Sequence, residues 1–268
     1  MKRRWNIILP RAMLIWLCGA LGSAAHADTF DSQGLTDCGE VIADKALDGA
    51  RFTVSGGATI KLALIKAPEL WEKGSPYKSW PHAEAAKEVL RGLIEGQSLT
   101  LFCEGPKTNR FKEIVAHALL PDGRWLQHDL VANGHAIVFP RPTRRRGLPT
   151  LFKAEDSARE RKVGLWVFDN FKSVDALSDQ VKTGWFQIIT GTVLKADKVG
   201  PTVYLNFGAD WRSDFTVEIP TSALRHFEKA GIDPLLSAGK QVEVRGWVDY
   251  KAGPRILIQG PGQLRILE

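Results

Sequence analysis

Residues 61–70 read KLALIKAPEL, and the fold turns on how this stretch is taken. Leu62, Leu64 and Ile65 make an apolar strand core, lysines stand at 61 and 66, and Pro68-Glu69 turns the chain. Proline fixes φ and lacks a ladder donor, so the strand cannot run on through it. Two lysines and a glutamate at the exit of a buried strand make Lys61, Lys66 and Glu69 candidate site residues. Upstream, ARFTV and ATIKLALI flank the SGG at 55–57, a hairpin signature. Downstream, PHAEAAKEVLRGLIEG carries apolar residues at Ala83, Ala86, Val89, Leu90, Leu93 and Ile94. Three- and four-residue spacing of this kind predicts an amphipathic helix closed near Gly96. SLTLFC and EIVAHALL predict two more strands, and PDGRW a turn into a short helix in LQHDLVANGHA. TLFKAEDSARERKVGLW predicts a polar helix ending on Trp166. Short strands with helices inserted between them suit a small barrel carrying about three helices.

The chain has 268 residues, room for two ordinary domains. Residues 1–27 combine a basic start, a short apolar core and Ala25-His26-Ala27, which reads as a secretory signal peptide cut before Asp28. The apolar run is shorter than the roughly 20 residues of a membrane span, so no integral span is expected in the mature chain. Removing Lys2, Arg3, Arg4 and Arg11, with no acid among these residues, leaves +2 of the formal +6. Whole-chain charge therefore argues little for a polyanionic partner, and local patches must carry any such claim. Export points to a bacterial periplasm or to release from the cell. Cys38 and Cys103 remain after cleavage. In an oxidising compartment they are expected to pair, the alternative being two buried thiols. Two cysteines without a CxxC spacing do not make a zinc site.

A second unit is expected over residues 178–268, leaving 28–177 to the first. It shows six short strand patterns with one helix, TSALRHFEKAG, between the third and fourth. That order fits a second, OB-like β-barrel, so the whole chain reads as mostly β with helices.

The stretch 38–166 resembles the thermonuclease, or staphylococcal-nuclease-like, family. The resemblance rests on DGARFTV followed by IKLALIKAPEL, on PHAEAAKEVLRGLI, on KTNRFKEIVAHALLPDGRWLQHDLVANGHAIV and on SARERKVGLW. It implies an OB-type barrel with three helices, in which the strand entered at Cys38 lies near the strand ending at Cys103. It also implies calcium-dependent hydrolysis of DNA and RNA. In that chemistry two aspartates hold the ion, a glutamate activates water, and two arginines bind phosphate. Here the corresponding positions read Ala50 and Lys66 for the metal ligands, Glu69 for the glutamate, and Lys61 and Glu113 for the arginines. Calcium takes six to eight oxygens; alanine offers none, and an ammonium adds charge of the wrong sign. No metal or cofactor is therefore expected, and calcium only if the family chemistry survives.

Two further constellations stand out. FPRPTRRRGLPTLFK places Arg141, Arg144, Arg145, Arg146 and Lys153 close together, in a loop that the resemblance sets beside the site's mouth. Such a loop contacts phosphates or is merely solvated. Asp210, Trp211 and Arg212, in YLNFGADWRSDFTVEIP, form either a polar turn or a ligand contact. Three functions follow as expectations. The first is a catalytically degenerate module that binds DNA, RNA or another anionic polymer. The second is a working phosphodiesterase using Glu69 with Lys61 and Lys66. The third is a module that binds an envelope protein or a glycan.

Overall fold

The computed structural model describes residues 30–71, 78–210 and 212–267. The leader expected over residues 1–27 and the side chain of Trp211 lie outside the described residues. The first barrel is built from β1 (Thr36–Ala46), β2 (Arg51–Val54), β3 (Thr59–Leu62), β4 (Ile65–Lys66), α1 (Ala83–Ile94), β5 (Ser98–Cys103), β6 (Ile114–Leu119), α2 (Leu126–Ala132), β7 (Ile137–Val138) and α3 (Leu148–Glu160). The strands close in the order β1-β2-β3-β6-β5, with β4 and β7 paired beside the barrel. Every ladder of the barrel is antiparallel except β3 with β6. Alternation puts Phe52, Ile60, Leu62, Leu99 and Leu101 inside, where α1 adds Leu90 and Ile94 and α2 adds Leu126 and Leu130. Cys38 and Cys103 form a disulfide between β1 and β5, as expected.

The second unit contains β8 (Val174–Asp175), β9 (Phe186–Thr192), β10 (Lys195–Val199), β11 (Thr202–Asn206), β12 (Thr216–Ile219), α4 (Thr221–Lys229), β13 (Gln241–Tyr250), β14 (Pro254–Leu257) and β15 (Leu264–Ile266). Its sheet runs β10-β11-β12-β14-β13-β9-β8, and β15 adds to β13. The two ends of the barrel path are one piece of chain. Val193 N–H donates to Lys240 O on one side, and Leu194 N–H donates to Asn206 O on the other. Again the strands on either side of the helix-containing crossover, β12 and β14, pair in parallel, and β8 adds a second parallel ladder with β9. The two units thus share one strand order, with α1 and α4 at the same place in it. β8 joins the second sheet through β9, so that sheet begins at Val174, just ahead of the boundary drawn at Ser178.

Two elements differ from their sequence patterns. The strand predicted through Ile65 is interrupted: Leu64 sits at φ 63°, and β4 leaves the barrel to pair with β7. The polar helix stops at Glu160 rather than on Trp166, which lies in a short 3-10 turn at Gly164–Val167. There the chain passes against Gly134. A Cβ on Gly164 would come 2.2 Å from Gly134 O, and Leu165 N–H donates to that same oxygen at 2.8 Å. Only a left-handed glycine, at φ 58°, lets the two backbones meet so closely.

The barrels are joined by an apolar seam and a charged one. Ile137, Ala158, Leu165, Trp166 and Phe171 pack against Phe186 and Ile188 of β9. Beside them Arg245, almost wholly buried, donates to Glu155 Oε2 at 2.9 Å, to Val138 O at 2.7 Å and to Glu243. Arg159 bonds both acids as well, and Arg265 bridges Asp156 and Glu243. Buried charges persist only when paired and hydrogen-bonded, and the two buried acids, Glu155 and Glu243, each have at least two cations. Glu155 Oε2, on α3, also accepts from Val138 N–H at 2.7 Å, so Glu155 and Arg245 together hold the strand that pairs with Lys66.

Candidate functional site

The outer faces of β2 and β3 carry the first charges, because their apolar alternates point inward. Arg51 lies opposite Lys61 in the ladder. Asp48 turns back on its own loop: Oδ1 accepts from Ala50 N–H at 2.7 Å, and Oδ2 accepts from Arg51 Nε at 2.6 Å. Glu113 is buried, accepting from Asn109 Nδ2 at 2.7 Å and lying 3.4 Å from Arg51. Its charge is thereby tied to Arg51 rather than facing the cleft alone. Lys61 has no hydrogen bond or ion pair among the described residues. Burial holds its pKa below the ordinary lysine value, and Arg51 and Arg141 add to this, against the pull of Glu113 and Asp48.

Lys66 is held differently. Its ammonium bonds the Glu69 carboxylate and lies 5.2, 5.8 and 5.9 Å from the ring centres of Trp247, Phe186 and Trp80. All three fall within the about 6 Å over which a ring face attracts a cation. Two of the rings come from the second barrel. Lys61, Lys66 and Glu69 line one cleft of about 430 Å³ together with Asp48, Arg51, Arg141 and Trp247.

That cleft continues into another of about 690 Å³, walled by Lys61, Arg110, Phe111, Arg141 and Arg144 on one side and by Trp247, Asp249 and Gln259 on the other. Arg141 lies over Phe139, 4.5 Å from its ring centre, and donates to Gln259 Oε1 at 3.2 Å. Burial lowers its pKa, and the like charges of Arg144 and Arg110 lower it further. Arg110 lies over Phe111, whose ring is 66% exposed. Trp247 is 45% exposed at the opposite wall.

The basic loop is dispersed. Arg141 and Arg144 reach the cleft, although Arg144 is buried and donates to Pro106 O at 2.6 Å. Arg145 and Arg146 line a separate groove with Glu104, which accepts from both backbone N–H groups. The Arg146 side chain is taken by Asp31 and Gln33 O. Lys153 is exposed on α3 and lines none of these clefts. Pro140 and Pro142 turn the loop, and Gly262 and Gly260 of the second barrel pack against them so closely that a Cβ would clash.

Asp210 and Arg212 also lie outside the cleft. Arg212 N–H donates to Asp210 Oδ1 at 3.1 Å, and Asp210 N–H to Asp214 Oδ2 at 2.9 Å, the hydrogen bonding of a polar turn. The sequence reading missed Trp80, Phe186, Gln259 and the cleft-facing role of Trp247. Only the alternation in QVEVRGWVDY marks Trp247 as outward-facing, and nothing in it says toward what.

The donor set does not fit calcium. Asp48 spends both oxygens on its own loop, Ala50 has none, and Lys66 brings an ammonium. Among the described residues no three His, Cys, Asp or Glu side chains converge as a metal site.

Residues 59–167 match the family model described as staphylococcal nuclease homologue, so the first barrel carries a staphylococcal-nuclease-like domain. A probable staphylococcal-like nuclease of Oryza sativa subsp. japonica is 30% identical over 128 residues, covering 48% of this chain and 23% of that protein. An uncharacterized protein of Bacillus anthracis is 28% identical over 140 residues, covering 50% of this chain and 62% of that protein. The chain thus spans less than two thirds of the length of either relative.

Proposed function

We propose that the cleft between the barrels binds the sugar–phosphate backbone of single-stranded nucleic acid, and that it does so without metal-dependent hydrolysis. One observation carries this. The larger cleft is lined by Lys61, Arg110, Arg141 and Arg144 against a single acid, Asp249, and none of the four cations has a carboxylate within ion-pair distance among the described residues. Unpaired, partly desolvated cations gain most from an incoming anion. Phe111 and Trp247 supply ring faces on which bases stack, as in single-strand binding grooves. The absence of a calcium donor set supports a catalytically degenerate site, and the Glu69–Lys66 pair occupies the carboxylate that a hydrolytic mechanism needs as a base. Export to an oxidising compartment belongs to the same reading, supported by the leader pattern and the disulfide.

The test is fluorescence anisotropy of a labelled oligothymidylate with the full chain at several salt concentrations. Four phosphate contacts on a single strand give a log–log salt slope of about −2.8. Lys61→Ala reduces that slope by about 0.7. Trp247→Ala weakens binding by about 1–3 kcal/mol with little change in slope. Salt-insensitive binding, or none, refutes the proposal. Cleavage in EDTA that disappears in Glu69→Gln refutes its non-catalytic part.

A further inference from the structure

The shared strand order places a second site where the first barrel has its own, on the outer face of the second and third strands. In the second unit these are β11 and β12, flanked by β10 on one side and β14 on the other. Their inward residues, Val203, Leu205, Val217 and Ile219, fill the core. Their outward residues form two rows across the ladders. One runs Asp197, Tyr204, Glu218; the other runs Lys195, Asn206, Thr216, Arg255. Together they line a cleft of about 450 Å³, within the size range of small-ligand sites. Val199 closes one end. Lys251 and Ala252 of the β13–β14 turn close the other, Ala252 holding an unfavourable φ of 50° to do so. This is the face and the turn that OB folds use for oligonucleotides and oligosaccharides.

The charges decide between those two classes. Lys195 pairs with Asp197 at 2.9 Å. Arg255 spends its fork on Glu218 and on both oxygens of Asp249, at 3.2 and 3.0 Å. Of the three cations that line the cleft, Lys195 and Arg255 are already ion-paired, to Asp197 and Glu218 of the lining and to Asp249 beside it, which leaves Lys251. In the nuclease-like cleft none of the four lining cations has such a partner among the described residues. A phosphate chain gains less where most of the cations are already paired. What this face offers is an aromatic ring at Tyr204, an amide and a hydroxyl held together by the 3.2 Å Thr216–Asn206 bond, and carboxylates locked in place by their partners. The Tyr204 hydroxyl has no hydrogen-bond partner among the described residues. A ring face surrounded by fixed donors and acceptors matches a sugar, which has one apolar face and an equatorial rim of hydroxyls.

We propose that this face of the second barrel binds a neutral oligosaccharide, stacked on Tyr204 and hydrogen-bonded by Asn206, Thr216, Asp197 and Glu218. The proposal stands independently of the nucleic-acid reading of the other cleft. The experiment is amide chemical-shift mapping of the full chain at millimolar concentrations of three tetrasaccharides, of β-1,4-linked N-acetylglucosamine, β-1,4-linked glucose and α-1,4-linked glucose. The expected result is saturable shifts at Tyr204, Asn206, Thr216 and Glu218 with at least one of them. Tyr204→Ala and Asn206→Ala are each expected to weaken binding at least about tenfold, while Tyr204→Phe keeps most of it. The melting temperature of each variant is checked, so that Asn206→Ala decides should Tyr204→Ala fail to fold. No shifts with any of the three, shifts that map elsewhere, or shifts here with an oligothymidylate instead, would overturn the proposal.

Discussion

Truncating Arg245 to alanine is expected to loosen the junction between the barrels. Its guanidinium is 1% exposed and serves three acceptors, Glu155, Glu243 and Val138 O. Removing one partner of a buried ion pair typically costs about 3–5 kcal/mol, because the other charge is left uncompensated. Here neither acid is stranded: Arg159 still reaches both, and Arg265 still lies 3.4 Å from Glu243. That argues for the lower end, about 3 kcal/mol, with about 1 kcal/mol more for the donor lost to Val138 O. A loss of about 4 kcal/mol is a large share of the about 5–15 kcal/mol that holds typical domains folded. Urea unfolding of Arg245→Ala and of the native chain, followed by tryptophan fluorescence, measures it. Arg245→Lys keeps the charge without the fork and is expected between the two. A loss below about 1 kcal/mol for the alanine variant would refute the reasoning, since it would mean that the network is relaxed or hydrated in solution.

Other expectations follow from the same structure. Glu243 is held down at about 2; burial alone would raise it, but Arg245 and then Arg159 outweigh that. A carboxylate depressed in the folded state stabilises it above the ordinary value near 4.5 and ceases to as pH falls toward 2, so urea midpoints measured across that window should drop steeply, and less so in Glu243→Gln. His135 stacks on His82 with the rings 8° apart and a nitrogen–nitrogen distance of 2.9 Å. Burial first, and then the charge of His82, hold His135 down to about 4. Its protonation therefore favours the unfolded chain as pH falls from 6.5 toward 4, and an imidazole titration with a midpoint near 6.5 would contradict the burial. The disulfide closes a loop with a sequence separation of 65; replacing both Cys38 and Cys103 by serine should cost about 4 kcal/mol in the chain-entropy model, read from the same urea curves.

His117 shows how a side chain on the outer face of a barrel strand can still be fully buried. It pairs with Phe102 across the ladder, on the face opposite to Ala116 and Ala118, and it is buried because Phe30 and Trp125 ring it. Among the described residues neither ring nitrogen has a hydrogen-bond partner, Glu104 standing 3.9 Å away, and burial lowers its pKa against that carboxylate's pull. The basic run at 141–146 is a second case. Its composition suggested one patch, but the turn set by Pro140 and Pro142 sends Arg144 inward to Pro106 and Arg146 out to Asp31. A run of like charges states what is present, and the backbone path decides which faces share it.

The sequence by itself determined the elements. Period-two alternation drew the barrel strands, three- and four-residue spacing drew α1, and glycine and proline marked the turns, because these are local consequences of which side chains seek burial. That Ala50 and Lys66 take the calcium-ligand positions is an expectation of the resemblance alone, made without coordinates. What only the tertiary structure decided is the joint between the barrels. Trp247 and Phe186 reach Lys66, Gln259 meets Arg141 and Arg245 grips Val138 across more than a hundred residues of chain. No periodicity carries such information. The contacts exist because the closed barrel and the second sheet bury an apolar seam together, and the charged and aromatic groups at its edge are placed by that packing rather than by their neighbours in sequence.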